Sequence, residues 1–152
     1  MFVSVTKSDD LYSTNISLDE GEDGYSFTVK LPLVDGKYLE PVSVYGPEGQ
    51  VNKKTHPCIA PDESYMIFDE VRREGFGEAD LYISYRKPDG NWTEAINLGA
   101  KINSESSEFS ARISPEGRFI FFARYRDRKC DIYWVDGGII GELKPEDFPD
   151  KE

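Results

Sequence analysis

One stretch of this chain is written twice. Residues 60–70 read A-P-D-E-S-Y-M-I-F-D-E and residues 114–124 read S-P-E-G-R-F-I-F-F-A-R. Pro61 answers to Pro115, Asp62 to Glu116, and a four-residue apolar run follows each, all at an offset of 54. After a polar loop each copy continues as Asp-aliphatic-Tyr, Asp80-Leu81-Tyr82 and then Asp131-Ile132-Tyr133, at an offset of 51 because the second loop is shorter. A third signature, D-G-K-Y-L-E-P at 35–41, recurs as D-G-N-W-T-E-A at 89–95. Three segments recurring in one order make the chain a repeat array. A period near 50 with about four short strands per unit is that of a propeller built from blades.

The local signals agree. Apolar residues come in short runs bounded by Gly, Pro, Asp and Ser: 65–68, 81–83, 119–122 and 132–135. Runs this short, rich in aromatic and β-branched types, predict strands buried on both faces. No long 3.6-residue stripe occurs. The one helix candidate is 139–143, where Ile139, Ile140 and Leu143 share a face before Pro145.

One unit reads as an inner strand at 56–60, a turn at Pro61-Asp62-Glu63-Ser64, and a second strand at 65–69. A loop then closes on Asp80, whose carboxylate is suited to accept nearby backbone N–H groups. A third strand over 81–85, a hairpin at Asp89-Gly90 and an outer strand over 92–98 complete the unit. The next unit runs 110–113, 119–124 and 132–135. Upstream, 25–33 and 39–45 read as the last two strands of an earlier blade and 2–6 as its second strand, with an acidic insertion at 9–23. The expected organisation is a partial propeller over 1–136, with repeats near 25–55, 56–103 and 109–136, and a C-terminal tail at 137–152 with a short helical turn.

These elements resemble the WD-like β-propeller repeat of the TolB type. The family's proline-acid-Gly turn, aromatic-aliphatic strand, Asp-aliphatic-Tyr strand and Asp-Gly-x-aromatic hairpin match Pro115-Glu116-Gly117, residues 119–122, Asp131-Ile132-Tyr133 and Asp89-Gly90-Asn91-Trp92. Asn97-Leu98-Gly99 followed by Ile102-Asn103 is similar to the outer-strand exit of bacterial members. The resemblance covers about residues 25–136. It implies the fold, and its matching positions are turns and inter-blade packing. The chain departs from it at Glu63, where Gly is usual, and at 9–23.

The fold class expected is therefore all-β, with blades of four-stranded antiparallel sheet, about three per chain. Propellers close with typically about 4–8 blades. An arc of three leaves both terminal flanks open. Three closures are compatible with the sequence: a homodimer of half-propellers giving about six blades, a piece of a longer propeller protein, or a compact non-ring packing capped by the acidic insert and the tail.

Charge narrows the partners. The chain carries 29 acidic against 18 basic side chains, a formal net charge of -11. That disfavours nucleic acid, which needs a basic face to displace counterions. No apolar run approaches the roughly 18–20 residues of a membrane span. Residues 1–6 are too short for the apolar core of a leader, and Asp9 and Asp10 follow. As it stands the chain reads as cytoplasmic, and a removed leader would make it periplasmic. Cys58 and Cys130 are too few for a disulfide scaffold.

Catalytic and metal motifs do not emerge. The single histidine, His56, excludes His-rich zinc sites and reads as structural or channel-lining. Cys58 lies two residues on, on the same strand face, which leaves the two side chains parallel rather than engaged. Carboxylates such as Asp69, Glu70, Glu105 and Glu108 read as solvated loop groups, with no pair marked out for glycosidase chemistry. The loop at 74–80 lacks Ca²⁺-ligand spacing, and no helix follows Gly75-Phe76-Gly77 to make a phosphate site. No cofactor and no metal are expected.

One asymmetry stands out. Residues 71–130 carry 11 basic and nine acidic side chains, while 1–50 carry three against nine. Arg72, Arg73, Arg124, Arg126 and Arg128 are expected in equivalent loops joining second and third strands, on one face of the assembly. Arg112 on an inner strand could point into the channel, and His56 is the remaining ligand-binding candidate. Together they could hold a carboxylate or an acidic partner segment; the plain alternative is that they pair with neighbouring acids. The functional expectation is a non-enzymatic binding or scaffold module, probing a peptide, protein or glycan at the loop face or channel mouth. The alternatives are a carbohydrate hydrolase at the channel mouth and a fragment of a longer propeller protein.

Overall fold

The structure, a computed structural model, describes residues 3–17, 25–45, 54–146 and 148. Its strands are β1 (Val3–Val5), β2 (Leu11–Ser17), β3 (Tyr25–Leu31), β4 (Leu33–Val34), β5 (Lys37–Tyr38), β6 (Val42–Ser43), β7 (Thr55–Ile59), β8 (Tyr65–Glu70), β9 (Asp80–Tyr85), β10 (Ile96–Asn97), β11 (Ser107–Ile113), β12 (Phe119–Arg126) and β13 (Lys129–Asp136). A short helix, α1 (Ile139–Glu142), follows. The strands form three main antiparallel sheets, ordered β1-β2-β3-β6, β7-β8-β9-β10 and β11-β12-β13, with β4 and β5 as a separate hairpin. The architecture is all-β, of propeller type.

Local chemistry accounts for the turns. Pro61 opens the turn between β7 and β8, closed by Glu63 N–H on the Ala60 carbonyl at 2.9 Å. Asp35-Gly36 joins β4 to β5 with φ of 50° and 74°, the backbone that a two-residue hairpin of right-handed twist demands. Asp80 accepts the amides of Phe76 (2.6 Å) and Gly77 (3.2 Å), folding loop 71–79 into a knot. A Cβ on Gly77 would fall on the carbonyl oxygens of Ser104 and Ser106, so only glycine lets this loop touch the next sheet. There Glu108 N–H donates to the Ala79 carbonyl at 2.7 Å.

Packing follows strand alternation. On β8 and β9, Ile67, Leu81 and Ile83 point one way into a core with Ala111, Ile120 and Phe122 of the third sheet. Met66, Phe68 and Tyr82 point the other way, onto Tyr12 of the first sheet. The middle sheet is therefore apolar on both faces, as its uninterrupted runs predict.

The first and last sheets differ from the sequence expectation. Residues 3–5 take the first place in their sheet, not the second. The second place belongs to β2, inside what reads as an acidic insertion at 9–23 (18–23 lie outside the described residues). β2 was hidden because its sequence, L-Y-S-T-N-I-S, alternates polar residues and lacks the four-residue apolar run. The third sheet has three strands rather than four. After Asp136 the chain turns at Gly137-Gly138 into α1, and Ile139, Ile140, Leu143 and Phe148 pack on the core. Tyr85 Oη donates to the Ile140 carbonyl at 2.5 Å, holding that turn down. Nothing described returns along β13.

Candidate functional site

The junctions between sheets repeat one device. β7 and β11 each slip register, between Thr55 and Cys58 and between Phe109 and Arg112. The residue at each bulge, His56 or Ser110, is left-handed, with φ of 48° or 57°. A bulge releases an amide from the ladder. Here that amide crosses the junction, from His56 to Thr14 Oγ1 (2.8 Å) and from Ser110 to Asp69 Oδ1 (3.0 Å). Thr14 and Asp69 hold matching places on the second strands of the preceding sheets.

Asp69 is the node of this arrangement. It is buried, accepts the Thr55 hydroxyl, and lies 2.9 Å from His56 Nδ1. His56 is thus pinned within a structural network, with its ring 6.1 Å from Phe109. Cys58 is buried; burial pushes its thiol pKa up, against the pull of Arg112 beside it. Arg112 is half-buried and donates from Nη1 to the Ala111 carbonyl at 2.8 Å.

The arginines separate into two groups. Arg72 binds Glu70 at 2.7 Å and lies 4.6 Å over the Tyr82 ring. Arg124 binds Glu108 at 2.6 Å, donates to the Ile102 carbonyl at 2.8 Å and lies 4.4 Å over Tyr133. Tyr82 and Tyr133 are repeat partners, so both arginines act as fasteners of their own sheets. Arg73, Arg126 and Arg128 are exposed at the same end of the sheets. Only Arg72 and Arg73 lie in a long loop and Arg128 in a turn. Arg124 and Arg126 belong to β12 because β12 and β13 stay paired down to Arg126–Lys129. The turn between them, Asp127-Arg128, has φ of 51° and 63°, a backbone that costs side-chain-bearing residues about 1–2 kcal/mol each.

The acids depart from the solvated reading. Asp69, Asp80 and Glu108 are all buried. Glu108 receives Ser104 N–H (2.9 Å) and Ser104 Oγ (2.5 Å) as well as Arg124. Asp80 adds Asn97 Nδ2 at 3.0 Å to its two amides. Sequence reasoning missed the roles of Asp69 and Glu108 because Ser110 and Arg124 lie on other strands, whereas Asp80 accepts the nearby backbone N–H groups expected of it. Among the described residues no group of three His, Cys, Asp or Glu side chains could hold a metal ion. No described helix is long and apolar enough to cross a membrane.

Sequence reasoning also missed the specific surface left at the end of the array. Phe121 pairs with Trp134 and Ala123 with Ile132 across β12 and β13, so these side chains share one face. Tyr125 and Cys130, opposite each other, continue it. Phe121 is 39% exposed, Trp134 62% and Ile132 72%. Phe119 packs edge-on to Trp134, with ring centroids 5.2 Å apart. The repeat offsets of 54 and 51 would have found this face, since they map it onto Ile67, Ile83 and Leu81, all 0% exposed.

Among solved structures, the chain is similar to the crystal structure of TolB from Acinetobacter baumannii, with a TM-score of 0.51 at 14% sequence identity. The match covers 90% of this chain and 29% of that one. The chain therefore spans less than a third of the length of the TolB chain. The likeness is one of fold, TolB-like and of β-propeller type. No protein-family model matches the chain, and no curated protein matches it.

Proposed function

We propose that the chain is a non-enzymatic binding or scaffold module, an incomplete propeller of about three blades whose open ends are covered by self-association. A second copy would bring the ring to about six blades with twofold symmetry. One observation carries this reading: a sheet face whose repeat counterpart is fully buried stands bare at the end of the array. The buried carboxylates that a hydrolase would recruit are occupied by structural hydrogen bonds, Asp69 by three residues and Glu108 by two.

The ligand face of the module is the end carrying Arg73, Arg126 and Arg128. These guanidiniums are exposed, and Arg128 sits where glycine would be unstrained, which favours a role for its side chain. Planar guanidiniums suit carboxylates, so the ligand class is an acidic peptide or an acidic segment of a protein partner. Fluorescence anisotropy with a labelled oligoglutamate peptide tests this. Reversal of all three charges (R73E, R126E, R128E) should weaken binding at least tenfold, and added salt should weaken the wild-type complex. Equal affinity in the wild type and the triple variant would reject the site.

A further inference from the structure

The loop at 71–79 displays a large apolar side chain from a fixed frame. We infer that Phe76, with Val71, is a preformed apolar anchor beside the exposed arginines, so that the ligand is an acidic segment carrying one large apolar side chain among its carboxylates. The inference rests on the arginine-end reading above and adds the second half of the ligand's chemistry.

The frame is built from buried groups. Asp80, 1% exposed, accepts the amides of Phe76 and Gly77 and is itself held by Asn97 Nδ2. Gly75 N–H closes a turn on the Arg72 carbonyl at 3.2 Å, and Glu78 N–H donates to the Ser106 carbonyl at 3.2 Å. Neither neighbour of Phe76 can carry a side chain. A Cβ on Gly75 would lie 2.6 Å from Asp80 Oδ2, and one on Gly77 would fall on the Ser104 and Ser106 carbonyl oxygens. Phe76 is the position of the three that takes a side chain, and it stands 49% exposed, with Val71 60% exposed at the start of the loop. An aromatic ring half in water on a locked backbone keeps apolar area to bury against a partner. A loop already ordered loses little entropy on binding.

The frame also sets where the anchor lies. The loop leaves β8 through Val71 and Arg73 and reaches the last sheet at Ala79, which bridges to Ser107 and accepts Glu108 N–H at 2.7 Å. Ser107 Oγ donates to Glu78 at 3.1 Å, and Ser107 pairs with Tyr125, the neighbour of Arg126. Phe76 therefore lies on the path from Arg73 to Arg126 and Arg128. Arg72 is held by Glu70, so the guanidinium this loop presents is that of Arg73. Arg126 meets Asp127 at 3.5 Å in an exposed pair, and Glu74 is exposed beside Arg73. Exposed guanidinium–carboxylate contacts contribute little each. Charge then fixes the class and register of the ligand, and burial of an apolar side chain against Phe76 and Val71 supplies the affinity.

Fluorescence anisotropy with two labelled peptides tests this: an oligoglutamate, and the same peptide with its central glutamate replaced by phenylalanine. The wild type should bind the second about tenfold tighter. Phe76→Ala, its fold checked by circular dichroism, should bind the two alike. Reversal of the three arginine charges should weaken both. A phenylalanine peptide that binds no tighter than oligoglutamate, or one whose advantage persists in Phe76→Ala, would overturn this inference alone. Binding of either peptide that resists the charge reversal, or no binding at all, would overturn the arginine-end reading and this inference with it.

Discussion

At Glu63 the backbone takes φ of 59°, and the repeat counterpart is Gly117 with φ of 74°. The glutamate occupies a glycine position because its carboxylate reaches the first sheet. It accepts Tyr12 Oη at 2.6 Å and Lys30 Nζ at 2.7 Å, and Lys30 also binds Asp10 at 2.8 Å. The sequence shows the departure from glycine but not its reason, since Tyr12 and Lys30 are 51 and 33 residues away. Burial disfavours the charge on Glu63, yet the bonds from Lys30 and Tyr12 hold its carboxyl below the usual range. The bond from Lys30 does the same for Asp10. Because both folded pKa values lie below their unfolded ones, this stabilisation is present at neutral pH and fades as pH falls through the folded values. Glu63→Gln keeps the backbone strain and removes the charge. It should lower stability by about 1 kcal/mol at pH 7, allowing for partial exposure. In urea unfolding the gap from wild type should close as pH drops below about 4. A gap that stays constant with pH would remove the ion pairs from the account.

Among the elements, the strands that sequence patterning identifies are those whose partners are close in the chain. β8, β9, β12 and β13 announce themselves by apolar runs, and their turns by Pro61, Asp80, Gly90 and Gly117. β2 escaped because it carries a single core aromatic, Tyr12, among polar residues rather than an apolar run. In the middle sheet the outward edge of β9 is closed. Leu81 N–H donates to Asn103 Oδ1 at 2.9 Å, and the Leu81 carbonyl accepts Leu98 N–H at 3.0 Å. The counterpart of Leu81 on β13 is Ile132, whose edge has no described neighbour. Hydrogen exchange should therefore be at least a hundredfold faster at Ile132 and Trp134 than at Leu81 and Tyr85, a contrast in local opening within one molecule. Equal protection would mean that a strand lies along β13.

For the molecule as a whole, the repeat arithmetic carries most of what was legible: the sheet type, the order of units and the shortfall against a closed ring. The candidate site was less legible. Of the seven side chains singled out, His56, Arg72 and Arg124 are bound into structural networks: the buried carboxylates of Asp69 and Glu108 hold His56 and Arg124 from neighbouring strands, and Glu70, two residues away, holds Arg72. What the fold adds is a bare aromatic face at one end of the array. Cys130 lies on that face, exposed, while Cys58 is buried, so one thiol reports on the surface. The direct measurement is the rate of Cys130 modification by a soluble disulfide reagent across a dilution series. The account predicts slow reaction in concentrated protein and fast reaction on dilution, with Trp134→Glu fast throughout. A wild-type rate that is fast and independent of concentration would contradict it.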